Sequence, residues 1–190
     1  MKIGILAIQG DFEAHARLLR TLGAEAVEVR VPGELDGIDG LIIPGGESTV
    51  MTLGIEREGL AEPIRALAAD GTPVLGTCAG MIMLDREHLG LMDVLARRNA
   101  FGRQVRSFET DLDIEGLEGQ PLRAVFIRAP WVQEHGAGVE VLARVDGHPV
   151  AVRQGSLLAV AFHPELAGDA RVHELFLALV RQRTHPSSAS

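Results

Sequence analysis

Pro73-Val74-Leu75-Gly76-Thr77-Cys78-Ala79-Gly80-Met81-Ile82-Met83-Leu84 runs from one apolar stretch to another across the small residues Gly76 to Gly80. The pattern predicts a buried strand over Pro73–Thr77, a tight turn that only small residues tolerate, and a helix starting at Met81. That is the sequence form of a nucleophile elbow, which lifts a side chain above the end of a sheet. Here the lifted side chain is Cys78, the only cysteine in the chain. At a helix N-terminus the unpaired N–H groups favour a thiolate.

Working outward, Ile3–Ile8 reads as a continuous apolar strand, as expected of a parallel sheet covered on both faces. Asp11 is placed to cap a helix whose Phe12, Ala16, Leu19 and Leu22 recur at helical spacing until Gly23. Ala26–Val31 and Gly40–Ile43 are further strands, and a helical stretch from Thr49 to Ala69 is expected to break near Gly59 and Pro63. This alternation predicts a doubly wound, three-layer α/β domain with its ligand site at the carboxyl ends of the strands.

The second half reads differently. Val94–Val105, Arg123–Ile127, Glu140–Val145 and Val150–Arg153 look like shorter strands, with tight connections at Asp146-Gly147 and Gln154-Gly155 between antiparallel neighbours. A last helix is expected from Ala170 to Arg183, with Val172, Leu175, Phe176, Leu179 and Val180 facing the sheet. The expected organisation is one domain over 1–183, followed by a polar tail over 184–190 that frays.

Composition narrows the function classes. The 190 residues carry 18 Lys and Arg against 26 Asp and Glu, a net charge of −8, which argues against a nucleic-acid phosphate surface. A lone cysteine excludes an intramolecular disulfide and suits a reducing compartment. The opening apolar run is strand-length rather than leader-length, and no apolar stretch approaches membrane-spanning length. A cytoplasmic protein with no membrane and no nucleic-acid partner is expected.

Two further segments share the logic of the elbow. Leu157–Phe162 ends in His163-Pro164-Glu165, so a histidine and a carboxylate leave the end of another apolar strand. Cysteine, histidine and carboxylate are the parts of a thiol acyl-transfer triad. Leu41-Ile42-Ile43 runs into Pro44-Gly45-Gly46-Glu47-Ser48-Thr49, a turn whose backbone N–H groups can face an anion. Each segment alone has an ordinary explanation: a lone cysteine is commonly a small buried hydrophobe, and a strand-end histidine a rim residue. Together they are hard to read as packing.

Pro44–Thr49, Gly76–Gly80 and His163-Pro164-Glu165 resemble the signatures of class I glutamine amidotransferases. Leu6-Ala7-Ile8-Gln9-Gly10, Arg98-Asn99-Ala100-Phe101-Gly102-Arg103-Gln104 and Phe126-Ile127-Arg128-Ala129-Pro130 narrow the likeness to the glutaminase subunits of pyridoxal 5'-phosphate synthase. It extends from Lys2 to about Arg183. Between Glu87 and His88 many members carry several additional loop residues that are missing here.

The resemblance implies a flavodoxin-like sheet, mostly parallel with antiparallel additions, and hydrolysis of L-glutamine to glutamate and ammonia. It implies Cys78 as nucleophile, His163 as acid–base and Glu165 as its orienting carboxylate. The backbone N–H groups of Gly46 and Ala79 would form the oxyanion hole, and Gly46, Glu47, Ser48, Arg98, Ile127 and Arg128 would bind glutamine. No cofactor and no metal are implied. The implied partner is a barrel-fold synthase subunit that consumes the ammonia. Because glycines let a peptide flip at little steric cost, the isolated chain is expected to hold its Gly45-Gly46 oxyanion donor turned away and to be nearly inactive, with docking of the synthase near Gln9-Gly10 and the Pro44–Thr49 turn shifting it to the competent state.

Two other readings compete. Another class I glutaminase, such as one feeding imidazole glycerol phosphate formation, would share the triad but not the Arg98–Gln104 and Phe126–Pro130 stretches. An α/β binding or stress protein would not need the His-Pro-Glu segment and the Gly-Gly turn. The remaining histidines receive no role: His15 lies in the first helix, where the family often has a polar residue near the partner surface, and His88, His135, His148, His173 and His185 show no metal-ligand spacing; His135 is the first substitute base to test. Pro44–Thr49 lacks a P-loop lysine, and no dinucleotide fingerprint follows Ile8.

Overall fold

A computed structural model of the chain describes residues 1–102 and 106–186. Its main sheet has seven strands: β1 (Lys2–Leu6), β2 (Glu25–Val29), β3 (Gly40–Ile43), β4 (Val74–Thr77), β9 (Glu140–Val145), β10 (His148–Gln154) and β11 (Leu157–Val160). Their order is β2-β1-β3-β4-β11-β10-β9. β2 through β11 in that order pair in parallel, and β10 and β9 add on antiparallel. Strands β1, β3, β4 and β11 are almost wholly apolar and buried, because both faces of the sheet are covered.

Helices supply that cover: α1 (Phe12–Thr21), α2 (Ser48–Arg57), α3 (Ala61–Ala69), α4 (Ala79–Leu84) and α5 (Arg171–Thr184). The β3–β4 register sets Ile43 beside Gly76, so Gly40, an odd number of residues earlier, points to the opposite face. A β-carbon at Gly76 would lie 2.8 Å from Leu84 of α4, and one at Gly40 would lie 2.9 Å from Phe176 of α5. α4 and α5 therefore pack on opposite faces. The α1 start follows its sequence cue, with Asp11 accepting the Ala14 N–H at 3.3 Å.

Two small antiparallel sheets flank the main one: β5 (Val94–Arg97) with β8 (Trp131–His135), and β6 (Ser107–Leu112) with β7 (Leu122–Ile127). Phe101, Phe108, Phe126 and Phe162 join them to the main core, with Phe108 stacked on Phe126 at 4.6 Å between ring centres.

Several boundaries differ from the sequence expectation. The long strand expected over Val94–Val105 is β5 alone: Asn99, at φ 44°, turns the chain away after Arg97, and residues 103–105 lie outside the described residues. β6 and β8 were not anticipated, because β6 (Ser-Phe-Glu-Thr-Asp-Leu) is charged on its exposed face and β8 is mostly polar. Gly59, at φ 68°, does separate α2 from α3, but Pro63 sits inside the first turn of α3, where its missing N–H has no partner to lose. The Asp146-Gly147 and Gly155 turns link β9, β10 and β11 as expected. The expected tail begins one residue inside α5, and residues 187–190 lie outside the described residues.

Candidate active site

Cys78 stands between β4 and α4 at φ 52° and ψ −110°, a left-handed conformation that a side-chain-bearing residue rarely adopts. The sheet holds it there, because its N–H donates to Val160 O of β11 at 2.8 Å. Gly80 lets the new helix start hard against β3, where a β-carbon would lie 2.9 Å from the Ile43 carbonyl carbon and closer still to its oxygen. The helix begins at Ala79, two residues earlier than the apolar run suggests. The thiol is nearly buried, and Sγ lies 3.7 Å from Ile127 O.

The second strand end delivers the imidazole. After β11, His163 donates its N–H to Val125 O of β7 at 2.9 Å, which ties the turn to the small sheet. His163 Nδ1 and Glu165 Oε1 are 2.7 Å apart, with the Glu165 side chain fully buried and that of His163 13% exposed. Burial opposes a charge on His163. Its hydrogen bonds to Cys78 and Glu165, and the negative charges of both, outweigh that effect and raise its pKa to about 10. At neutral pH the ring is an imidazolium that holds a proton beside sulfur.

The Pro44–Thr49 turn closes the third side. A β-carbon at Gly45 would lie 2.6 Å from His163 Cε1 and 3.2 Å from Cys78 Cβ, so both residues pack directly on this glycine. The Gly45 carbonyl oxygen rests against Gly10, which has no side chain to exclude it. In a trans peptide the Gly46 N–H then points to the side opposite Gly10. Gln9 Oε1 secures the turn by accepting the Glu47 N–H at 2.6 Å.

Glu47 also caps α2, accepting the N–H groups of Thr49 and Val50 at 3.2 and 2.8 Å. The Val50 and Thr49 N–H groups, followed by the charge of Arg98, hold its carboxyl below the ordinary range. Arg98 Nη2 donates to Glu47 Oε1 at 3.1 Å, and Arg98 Nη1 to Thr49 Oγ1 at 3.3 Å. From the far side, Arg128 adopts φ 46° just beyond β7 and donates its N–H to Arg106 O at 2.6 Å.

These elements enclose a cavity of about 420 Å³. Every residue singled out from sequence lines it except Glu165, which lies behind His163: Gly46, Glu47, Ser48, Cys78, Ala79, Arg98, Ile127, Arg128 and His163. An adjoining cavity of about 530 Å³ is walled by Arg97, Arg98, Arg106 and Arg128, a local basic field in an acidic chain. The arrangement offers a nucleophile, a proton carrier whose ring is held by a carboxylate, candidate backbone donors and charges of both signs. It is equipped for acyl transfer from a small zwitterionic substrate. His135, the reserve base, lies at the end of β8 with its ring against Gly136 O at 3.1 Å, away from this cavity.

Sequence reading named Gln9 only as a place near which a partner docks and missed its bond to Glu47, and it missed Asn99 and Pro130 as cavity walls. It also gave no role to His15 and His173, which are fully buried and lie 2.8 Å apart behind Glu165. A signal existed: His15 precedes Leu19 by one helical repeat, and His173 precedes Leu177 by one, so both occupy the apolar faces of their helices.

The SNO glutamine amidotransferase family profile matches residues 5–182. The chain is 57% identical over 189 residues to the pyridoxal 5'-phosphate synthase subunit PdxT of Frankia alni, covering 95% of each. It is 55% identical to the subunit of the same name from Dehalococcoides mccartyi, covering 95% of this chain and 98% of the relative. Among solved structures, a glutamine amidotransferase superposes with a TM-score of 0.88 at 46% identity, over 94% of this chain and 98% of that one. The structure of PurLQS from Thermotoga maritima shares the fold at a TM-score of 0.71 and 18% identity, over 96% of this chain and 98% of that one.

Proposed function

The chain belongs to the SNO glutamine amidotransferase family, and we propose that it is the glutaminase subunit of a pyridoxal 5'-phosphate synthase, hydrolysing L-glutamine and passing the ammonia to a synthase subunit. The observation that carries the chemistry is the meeting of Cys78, at its strained elbow, with His163, whose ring Glu165 orients through Nδ1 at 2.7 Å.

In this reading the Cys78 sulfur attacks the side-chain carbonyl carbon of glutamine. The resulting oxyanion is met by the N–H groups of Ala79 and Gly46, each worth about 3 kcal/mol of barrier. His163 gives its proton to the amide nitrogen, the C–N bond breaks, ammonia leaves and a thioester remains. His163 then takes a proton from water, which attacks the thioester and releases glutamate and the Cys78 sulfur. Glu165 touches only the imidazole. Glu47 and Ser48, with the Ile127 carbonyl, suit the substrate's amino group, and Arg98 and Arg128 suit its carboxylate. Because Arg98 is already paired with Glu47, the substrate binds to an ion pair rather than to a free cation.

The partner is a barrel-fold subunit that condenses a pentose phosphate and a triose phosphate with ammonia, in the cytoplasm, and 1–183 acts as one glutaminase domain. Support comes from near-full-length identity to named synthase subunits and from a single cysteine that suits a reducing compartment. Among the described residues no helix is long and apolar enough to cross a membrane.

The experiment is glutamate release by the chain mixed with a synthase subunit, comparing wild type with Cys78→Ala. Turnover should vanish while the circular-dichroism spectrum is unchanged, and a glutamine analogue with an electrophilic side chain should add once, to Cys78. Turnover in the alanine variant would overturn the assignment.

A further inference from the structure

The glutaminase mechanism leaves a buried polar line unused. Behind Glu165, His15 of α1 and His173 of α5 are both 0% exposed, as is Thr77 of β4. His15 Nε2 lies 3.5 Å from Glu165 Oε2 and 3.3 Å from Thr77 Oγ1, and His15 Nδ1 lies 2.8 Å from His173 Nε2. Among the described residues, the buried side-chain nitrogen and oxygen atoms without a hydrogen-bond partner are Glu165 Oε2 and His173 Nδ1. Both belong to this one line, which begins at the catalytic imidazole: His163, Glu165, His15, His173.

The proton positions follow from the carboxylate. A Glu165 carboxylate only accepts, and Thr77 Oγ1, 3.3 Å from the same nitrogen, can accept as well as donate, so a hydrogen on His15 Nε2 suits both neighbours where a bare lone pair would face Oε2 repulsively. His15 is neutral, because burial, only partly offset by the charge of Glu165 and reinforced by His173 and His163, lowers its pKa to about 4. Its Nδ1 is then an acceptor, and His173 Nε2 must carry the hydrogen between them. That leaves His173 Nδ1 as a bare lone pair, which accounts for its having no partner. The separation from His15 Nε2 to Oε2 exceeds a good hydrogen bond by a few tenths of an ångström, a gap of the kind that tightens when substrate closes a site.

We propose that His15 is a positioning residue for the catalytic imidazole: its Nε2–H donates to Glu165 Oε2, its Nδ1 accepts from His173 Nε2–H, and this line of neutral rings holds the carboxylate so that Oε1 stays on His163 Nδ1. The inference rests on the glutaminase reading for its kinetic consequence and on geometry for its existence. Without His15, Glu165 Oε2, which has no other partner among the described residues, loses the one N–H that faces it, and the carboxylate is free to rotate. That rotation loosens the orientation of His163 without touching the glutamine pocket.

The test compares wild type, His15→Leu and His15→Gln in the glutaminase–synthase mixture. Gln is chosen because its amide N–H reaches about where Nε2 stands, whereas Leu fills the space without a donor. His15→Leu should lose kcat by about 10- to 100-fold, as removal of a group orienting a functional side chain typically does, with KM for glutamine unchanged. His15→Gln should recover most of that loss. In parallel, the low-field proton resonance of the His163 Nδ1–H bonded to Glu165 is recorded without glutamine. It should broaden or vanish in His15→Leu and persist in His15→Gln. If His15→Leu does not fold, His173→Leu takes its place, since it removes only the N–H that fixes the His15 tautomer. Unchanged kcat and an unchanged resonance in the folded variant overturn the relay. Equal losses for Gln and Leu overturn it too, since packing alone would explain them. A wild-type mixture that releases no glutamate, while His15→Leu still shows the resonance change, would instead refute the glutaminase reading.

Discussion

At Cys78 the backbone holds φ 52°, a conformation that costs on the order of 1–3 kcal/mol and persists because the sheet and α4 over-determine it. What that strain supports is a sulfur set beside His163, and the residues around it are unequal. In the proposed mechanism His163 moves the proton and should be indispensable: His163→Ala is expected to remove turnover. Glu165→Gln keeps the shape but exchanges the carboxylate for an amide, which no longer stabilises the imidazolium, so a weak residual rate is expected. Initial rates of glutamate release distinguish the two, and equal mild losses would mean that another group is the base. Charge on the buried rings also makes stability depend on pH. Burial lowers both His15 and His173 from 6.5 to about 4. Between those values the unfolded chain binds protons that the folded chain refuses. Their contribution is therefore complete above pH 6.5 and lost as pH falls towards 4, by a few kcal/mol in order of magnitude. His163, raised to about 10, acts in the other direction, adding stability below pH 6.5 that fades as pH climbs to 10. The groups facing His15 are Glu165, His163, Thr77 and His173. Thermal melts from pH 7 to 4 should show a falling midpoint, and a folded His15→Leu variant should show a shallower fall; parallel curves would exclude the buried rings as the cause.

Among the elements, the segment joining β1 to α1 has more influence than its length suggests. Gln9 fastens the Glu47 N–H and Gly10 makes room for the Gly45 oxygen, while one turn further on His15 reaches Glu165. A β-carbon at position 10 would overlap the Gly45 oxygen and would have to accept φ 100°. Gly10→Ala is therefore expected to push the Gly45–Gly46 peptide out of its orientation and to remove one oxyanion donor. The cost should be about 100- to 1,000-fold in kcat. The chain should remain folded, since the turn lies outside the core cluster. Steady-state kinetics with a circular-dichroism control decide this; a fully active Gly10→Ala variant would mean that the peptide does not depend on that contact.

For the whole molecule, a glutaminase that ran unattended would release ammonia that becomes ammonium at neutral pH and is lost as a nucleophile. The Gly45–Gly46 turn and its Gln9-Gly10 support lie close together, where a docked subunit could bias them. A bias worth about 3 kcal/mol corresponds to roughly two orders of magnitude in rate. Glutamate release measured with and without the synthase subunit should differ by that factor, and a chain equally active alone would refute the gating. Ammonium salts should support cofactor synthesis by the synthase mixed with Cys78→Ala, because only ammonia supply depends on the thiol.

The local patterns at Gly76–Gly80, Gly45–Thr49 and His163–Glu165 were legible in the sequence because each is a strand end followed by a tight turn, and that chemistry is set by neighbours along the chain. The parallel core was legible for a similar reason: strands buried on both faces are continuous apolar runs. Only the tertiary structure decided what meets across the chain. The pairing of Arg98 with Glu47 spans 51 positions, and the contact of His15 with His173 spans 158. Neither leaves a periodic trace, because a partner brought up by the sheet topology has no fixed spacing. The polar strands β6 and β8 also form only because the sheet has already placed β7 and β5 beside them. Propensity along the chain identified the groups able to do the chemistry; strand order and register determined which of them face one another, and so which can exchange a proton.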